Sequence, residues 1–241
     1  LRPIIALLRQ PRWAIGAVIV VAAAVGFALA GLWQLSRLEE RRDRNREIVA
    51  AAAAPVLPLE LPMAEYTKVR ASGVWIDDAE VSLPLQTRAG EAGVHLLTPL
   101  STDSGIFLVD RGWVPLDAVG DFPRATGTAD VIATVRLPRS GSATGGSEGG
   151  RPSISRRDPE AVSAMTGLSL EGIVLELISE TPATDPAPLP PVPAPVGEGN
   201  HLLYAIQWFS FIAIAVIGYG ALLRRNAASA LGKPGDQLHP R

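Results

Sequence analysis

Two uncharged apolar runs, residues 13–33 and 202–223, stand near the two ends of this 241-residue chain. Each holds roughly 20 residues, enough at 1.5 Å rise per residue to cross a ~30 Å hydrocarbon core as a helix. About 165 residues lie between them, which suffices for one domain with its own core. The pattern predicts an α+β membrane protein in which two transmembrane helices flank one mainly antiparallel, β-rich extracytoplasmic domain. The expected divisions are an N-terminal segment (1–12), a first span (13–35), the domain (36–200), a second span (201–223) and a tail (224–241).

Charge sets the expected orientation. Arg2, Arg9, Arg12, Arg224, Arg225, Lys233 and Arg241 lie in the tails and favour both termini in the cytoplasm, with the domain outside. Arg37, Arg41, Arg42, Arg44 and Arg46 follow the first run and pull the other way, but long loops respond weakly to charge. The apolar stretch is too long for a secretory signal, and Gly31-Leu32-Trp33-Gln34-Leu35 offers no small-x-small cleavage site, so an uncleaved anchor is expected. The chain opens on Leu1 rather than Met, and residues ahead of it are expected. A formal net charge of −2 provides no field for nucleic acid. With no cysteine there is no disulfide, thiolate metal site, iron–sulfur cluster or cysteine nucleophile.

Between the runs, residues 36–54 continue the first helix as a charged segment without Gly or Pro, and residues 55–62 (PVLPLELP) read as extended linker. Strands are expected over 66–75, 80–86, 93–98, 106–114, 128–137 and 172–179, with turns at Asp77-Asp78 and Thr102-Asp103-Ser104-Gly105. Short strands at this spacing suggest an antiparallel sheet or a small barrel. Asp158-Pro159 opens a short helix that Gly167 closes. Residues 140–150 (SGSATGGSEGG) read as a flexible loop, 182–195 as a polyproline-like strap and 226–241 as a disordered tail.

No catalytic motif is present: no Gly-x-Ser-x-Gly, no phosphate-cradling glycine loop and no His-Glu-x-x-His. Of the three histidines, His239 lies in the tail, and His95 lies on a strand where it reads as a satisfied or surface histidine. Asp77 and Asp78 read as turn residues. His201 stands at the start of the second run, and His201, Tyr204 and Trp208 share a helix face at i, i+3 and i+7. Trp33, Gln34 and Arg37 end the first run at matching depth, with Arg41 one turn on. An imidazole can ligate haem iron, and guanidinium forks can hold propionates. The same aromatic and imidazole rings equally fit an interfacial belt, and both readings stand on these residues alone. Gln34 and Gln207 could hydrogen-bond across helices. Ala22, Gly26 and Ala30 form a small-residue strip that could pack the two spans or a partner's helix.

Three separated motifs resemble the surfeit locus protein family, the membrane-anchored assembly factors of cytochrome c oxidase. The first is Gly31, Trp33, Gln34, Arg37 and Arg41; the second is residues 106–109 leading to Arg111-Gly112-Trp113-Val114-Pro115. The third is Asn200, His201, Leu202, Tyr204, Ala205, Gln207, Trp208 and Phe209. The family frequently has Lys where this chain has Arg41. The resemblance implies a non-enzymatic factor in the plasma membrane of a bacterium, with its domain on the outer face, assisting haem a delivery to oxidase subunit I. It implies His201 as axial haem ligand, Tyr204, Trp208, Trp33 and Gln34 around the ring, and Arg37 and Arg41 on the propionates. Haem a synthase and other respiratory-complex subunits are further expected partners. Arg111 and Trp113 form either a structural hairpin corner or a surface that meets the oxidase. The rival functions are a structural accessory subunit that binds no haem and a membrane-anchored ligand-binding or sensor domain.

Overall fold

A computed structural model of the chain describes residues 2–139, 143–193 and 196–231. It divides into two compact units, one of residues 1–45 with 196–241 and one of residues 46–195.

The first unit is helical. Helix α1 (Arg2–Leu8) precedes the long α2 (Pro11–Ala53), of which residues 11–45 belong to this unit, and α4 (His201–Leu231) follows the second unit in sequence. Pro11–Ala53 and His201–Ser229 contain stretches of mean hydropathy 2.5 and 1.9, of which only 6% is buried. A core helix of a soluble protein would be mostly covered. Two helices of this length and composition could cross a membrane. They pack antiparallel: Phe27 stacks on Trp208 with ring centroids 5.7 Å apart, and the Tyr219 hydroxyl donates to the Trp13 carbonyl. Leu7, Leu223 and Ala227 form a buried cluster at the other end. The strip of Ala22, Gly26 and Ala30 is not the seam: a Cβ on Gly26 would meet nothing within 4 Å. Gly31 is the close approach, since a Cβ there would lie 2.7 Å from the Phe209 ring.

The second unit carries one nine-stranded sheet: β1 (Leu57–Pro58), β2 (Lys68–Trp75), β3 (Val81–Arg88), β4 (Glu91–Thr102), β5 (Gly105–Pro115), β6 (Thr128–Arg136), β7 (Ala143–Glu148), β8 (Arg151–Ile154) and β9 (Leu170–Thr181). The order is β1-β2-β6-β9-β5-β4-β3-β8-β7. β2 also pairs with β4, Trp75 opposite Leu100, so β2, β6, β9, β5 and β4 close into a small barrel. Most pairings are antiparallel; β1–β2, β3–β8 and β5–β9 are parallel.

The two-residue side-chain period of a strand sorts the core. In β6, Val131, Ala133 and Val135 turn inward while Ile132, Thr134 and Arg136 do not. In β5, Phe107 and Val109 fill the barrel, while Leu108 between them joins an outer cluster with Leu97, Val162 and Val174. Helix α3 (Pro159–Thr166) supplies Val162, so β5 is covered on both faces and its sequence is apolar without alternation. Asp158 caps α3 by accepting from the Glu160 and Ala161 amides, and Gly167, at φ +74°, closes it.

Two expectations from composition, the loop and the tail, are corrected, and the strap acquires an anchor. Residues 143–148 are strand β7, hydrogen-bonded to β8 across Gly149-Gly150, whose φ values of +57° and +73° suit a tight hairpin; residues 140–142 of the expected loop lie outside the described residues. The Pro-rich strap is pinned: Trp113 and Leu189 exchange backbone hydrogen bonds of 2.7 and 2.8 Å. Gly112, at φ +125°, permits this, because a Cβ there would stand 2.1 Å from the Leu189 carbonyl oxygen. The segment expected as tail continues as helix to Leu231, and His239 lies outside the described residues.

Candidate functional site

Three gatherings of polar side chains among the described residues bear on the expected site. Two lie in the β unit and one in the helical unit.

The first is sealed. Glu80 is buried between Arg111 and Arg151 and also accepts from the Thr98 hydroxyl at 2.6 Å. Arg111 donates to the Thr184 hydroxyl at 3.0 Å and lies over the Trp75 ring at 5.7 Å. Arg151 donates onward to the Val119 and Phe122 carbonyls. The reading of Arg111 and Trp113 as a surface that meets a partner is therefore corrected. They are only 1% and 4% exposed, one neutralised by Glu80 and the other donating its indole N–H to the Gln86 carbonyl. They form the structural corner.

The second surrounds His95. Its Nδ1 lies 2.8 and 2.9 Å from the two carboxylate oxygens of Asp110, which also accepts from the Gly112 amide and from Arg157. Burial alone would raise the Asp110 carboxyl. Hydrogen bonding from His95, the charge of Arg157 and the further contacts outweigh it and hold the group below the usual carboxylate range. Nearby, burial pushes the Glu176 carboxyl up against the opposing pull of Arg136. His95 is thus a satisfied histidine, as its strand position predicts. Among the described residues, no group of three or more His, Asp or Glu is placed to hold a metal ion.

The third is at the start of α4. Gly199, at φ +66°, turns the chain into the helix, and Tyr204 N–H bonds the Asn200 carbonyl in its first turn. His201 Nδ1 lies 2.9 Å from Gln34 Oε1 on α2. With the amide oxygen accepting, the imidazole carries its proton on Nδ1 and leaves the Nε2 lone pair open. A Cβ built on Gly199 would fall 3.7 Å from His201 Nε2 and 3.8 Å from Arg41 Nη2, so imidazole and guanidinium face one small space. Arg37 lies over the Trp33 ring at 5.7 Å and pairs with Glu40 at 2.7 Å. Arg42 and Glu198 pair at 2.7 Å, and that hydrogen bond, with the charge behind it, lowers the Glu198 carboxyl.

His201, Gln34 and Arg41 are thus brought together, and Trp33 and Arg37 lie beside one another. Tyr204 and Trp208 follow His201 at i+3 and i+7 on the same helix, but they are used differently. Ala205, at i+4, takes the buried position, Tyr204 is 49% exposed, and Trp208 is committed to Phe27 and Phe211.

The architecture defines a mixed α+β protein with a large sheet and two helices apolar enough to span a membrane. Comparison with known proteins narrows the class. The profile of the SURF1 family matches residues 20–213. An uncharacterized SURF1-like protein of Mycobacterium tuberculosis is 29% identical, the alignment covering 96% of this chain and 92% of that one. A SURF1-like protein of Monosiga brevicollis is 28% identical over 91% and 90% of the two chains, and one of Rickettsia bellii 25% identical over 87% and 91%. The chain belongs to the SURF1 family.

Proposed function

We propose that this chain is a membrane-anchored assembly factor for a haem–copper cytochrome c oxidase, assisting haem a on its way to subunit I. Membership of the SURF1 family supports the assembly role. The observation that carries the haem reading is the His201–Gln34 hydrogen bond, because it fixes the imidazole tautomer with Nε2 free. Metal-ligating histidines are oriented in this way by an acceptor on the other ring nitrogen.

The residues fit the group. A macrocycle brings four of its own ligands, so a single imidazole suffices where, among the described residues, no cluster is placed to hold a bare ion. Arg41 stands beside the imidazole with a guanidinium suited to a propionate. Exposed Trp33 and Tyr204 offer ring surface near the same end of the helix pair, while Trp208 holds the helices together. When bound, haem a supplies the redox-active iron centre destined for the oxidase; the residues here bind and orient it and shield one face. The role involves no catalysis by the chain.

Both termini are placed in the cytoplasm of a bacterial cell, with the β unit outside the plasma membrane, from the arginines of the tails. Subunit I is the receiving partner, and haem a synthase is the donor that completes the transfer. The test is replacement of the chromosomal gene by His201→Ala and extraction of haem from the purified oxidase. The expected result is oxidase with reduced haem a content while the variant accumulates normally in the membrane. Full haem a occupancy with normal variant levels contradicts the ligand role.

A further inference from the structure

The β unit holds a cationic pocket that the haem reading does not use. The cavity has a volume of about 540 Å³ and is lined in part by Arg136, Arg139, Arg156 and Arg157. That lies within the roughly 300–1,000 Å³ range of small-molecule sites. Two segments supply the arginines, the exit of β6 and the link between β8 and α3, while β3, β9 and the Pro-rich strap complete the wall with Leu83, Gln86, Glu176 and Val192. The Arg139 amide donates to the Arg157 carbonyl at 3.3 Å, which ties the two arginine-bearing segments together.

The four guanidiniums are of two kinds. Arg157 is held by Asp110, and Arg136 lies between Glu65 and Glu176 at 3.4 Å from each, stacked over Tyr66 at 4.6 Å. These are fixed, and the buried Arg136 Nη1 makes no hydrogen bond. Arg139 and Arg156 are exposed, and among the described residues neither guanidinium has an ion-pair or hydrogen-bond partner. The one carboxylate among the lining residues is Glu176, and it is taken up by Arg136. Arg139 and Arg156 thus bring two uncompensated positive charges to one pocket, and an oxyanion entering it would be drawn to both.

We infer that this pocket binds a small phosphate-bearing ligand. A carboxylate has two acceptor oxygens, which a single guanidinium fork satisfies. Free forks on two tied segments call for a group with three or more acceptor oxygens, as a phosphate has. The volume leaves room for an organic group esterified to it. Free phosphate and a lipid phosphate headgroup share this chemistry. The inference does not rest on the haem reading.

The test is calorimetric titration of the full chain in nonionic detergent with inorganic phosphate and, separately, with a short-chain phosphatidic acid below its micelle concentration. Saturable binding of at least one probe is expected, weakened roughly tenfold or more in Arg139→Ala/Arg156→Ala. Both side chains are exposed, so the melting temperature without ligand should match wild type. Saturation by inorganic phosphate identifies free phosphate as sufficient; saturation by the phosphatidic acid alone identifies a headgroup. Arg139→Lys/Arg156→Lys keeps charge but loses the forks and should fall between. Binding no greater than with sodium chloride at equal ionic strength, or unchanged in the Ala variant, overturns the inference. Full retention in the Lys variant overturns it too, since only diffuse charge would then be at work.

Discussion

His95 in the β unit has its Nδ1 against both oxygens of Asp110, with the Gly112 amide and Arg157 on the same carboxylate. His201 in the helical unit has one neutral partner, the Gln34 amide, and stays partly open. The first ring is enclosed by full charges that answer one another, as Glu80 is by Arg111 and Arg151. Such groups are buried and committed to the packing of the β unit. The second ring is also held through Nδ1, but by a neutral amide and at a half-buried position, so its Nε2 stays within reach of a ligand. Burial and charge pairing mark structure here, while a single neutral orienting contact beside solvent marks the candidate site.

Substitutions can break that contrast, and the largest effect is expected in the sealed network. Glu80→Ala leaves Arg111 and Arg151 buried without their counterion and should destabilise the β unit by about 3–5 kcal/mol. Denaturant unfolding followed by near-ultraviolet circular dichroism reads this, and a loss under about 1 kcal/mol would show that the network is not what holds the corner.

Next is Asp110. Its folded-state acidity is stronger than the ordinary 3.8, so its stabilising effect is present above that value and fades as pH falls through the lower folded value. Asp110→Asn should cost about 1–3 kcal/mol at neutral pH and remove that part of the acid sensitivity. An unchanged acid limb in the variant would assign the sensitivity elsewhere.

Gln34→Ala sharpens the comparison from the other side. It should leave stability nearly unchanged yet weaken haem binding by roughly 10–100-fold, the usual effect of losing an orienting partner. His95→Ala, in contrast, should lower stability and leave haem affinity as it was.

The smallest effect concerns Glu176. Its folded carboxyl titrates above the ordinary 4.5, so its contribution is full below 4.5 and is lost as pH rises through the raised value. Glu176→Gln should flatten the stability profile just above pH 4.5, and an equally steep profile in the variant would contradict the assignment.

What the sequence made legible follows from local rules. Alternation in residues 128–137 located β6, Asp158-Pro159 and Gly167 bracketed α3, and turn residues 102–105 located the β4–β5 hairpin. The β7–β8 hairpin was hidden because glycine and serine mask strand character, although Gly149-Gly150 was a usable turn signal. Barrel closure through β2–β4 and the pairing of Glu80 with Arg111 and Arg151 join residues far apart in the chain, which no local pattern encodes. That is why Arg111 could read as a surface. In the site, the depth of two helix ends brought Gln34 and His201 together correctly. Along the i, i+3, i+7 face, Trp208 packs on Phe27 of α2 while Tyr204 stays 49% exposed beside the buried Ala205. The arginine pocket went unseen because its four residues fall in two separate segments.

The most direct test of the haem reading is the visible spectrum of the full chain purified in detergent from cells that make haem a, wild type beside His201→Ala. The account predicts a Soret band and extractable haem a in the wild type, both lost in a variant that keeps its circular dichroism. Haem of equal amount and spectrum in the two proteins, or none in the wild type while it still captures the oxidase, would contradict it.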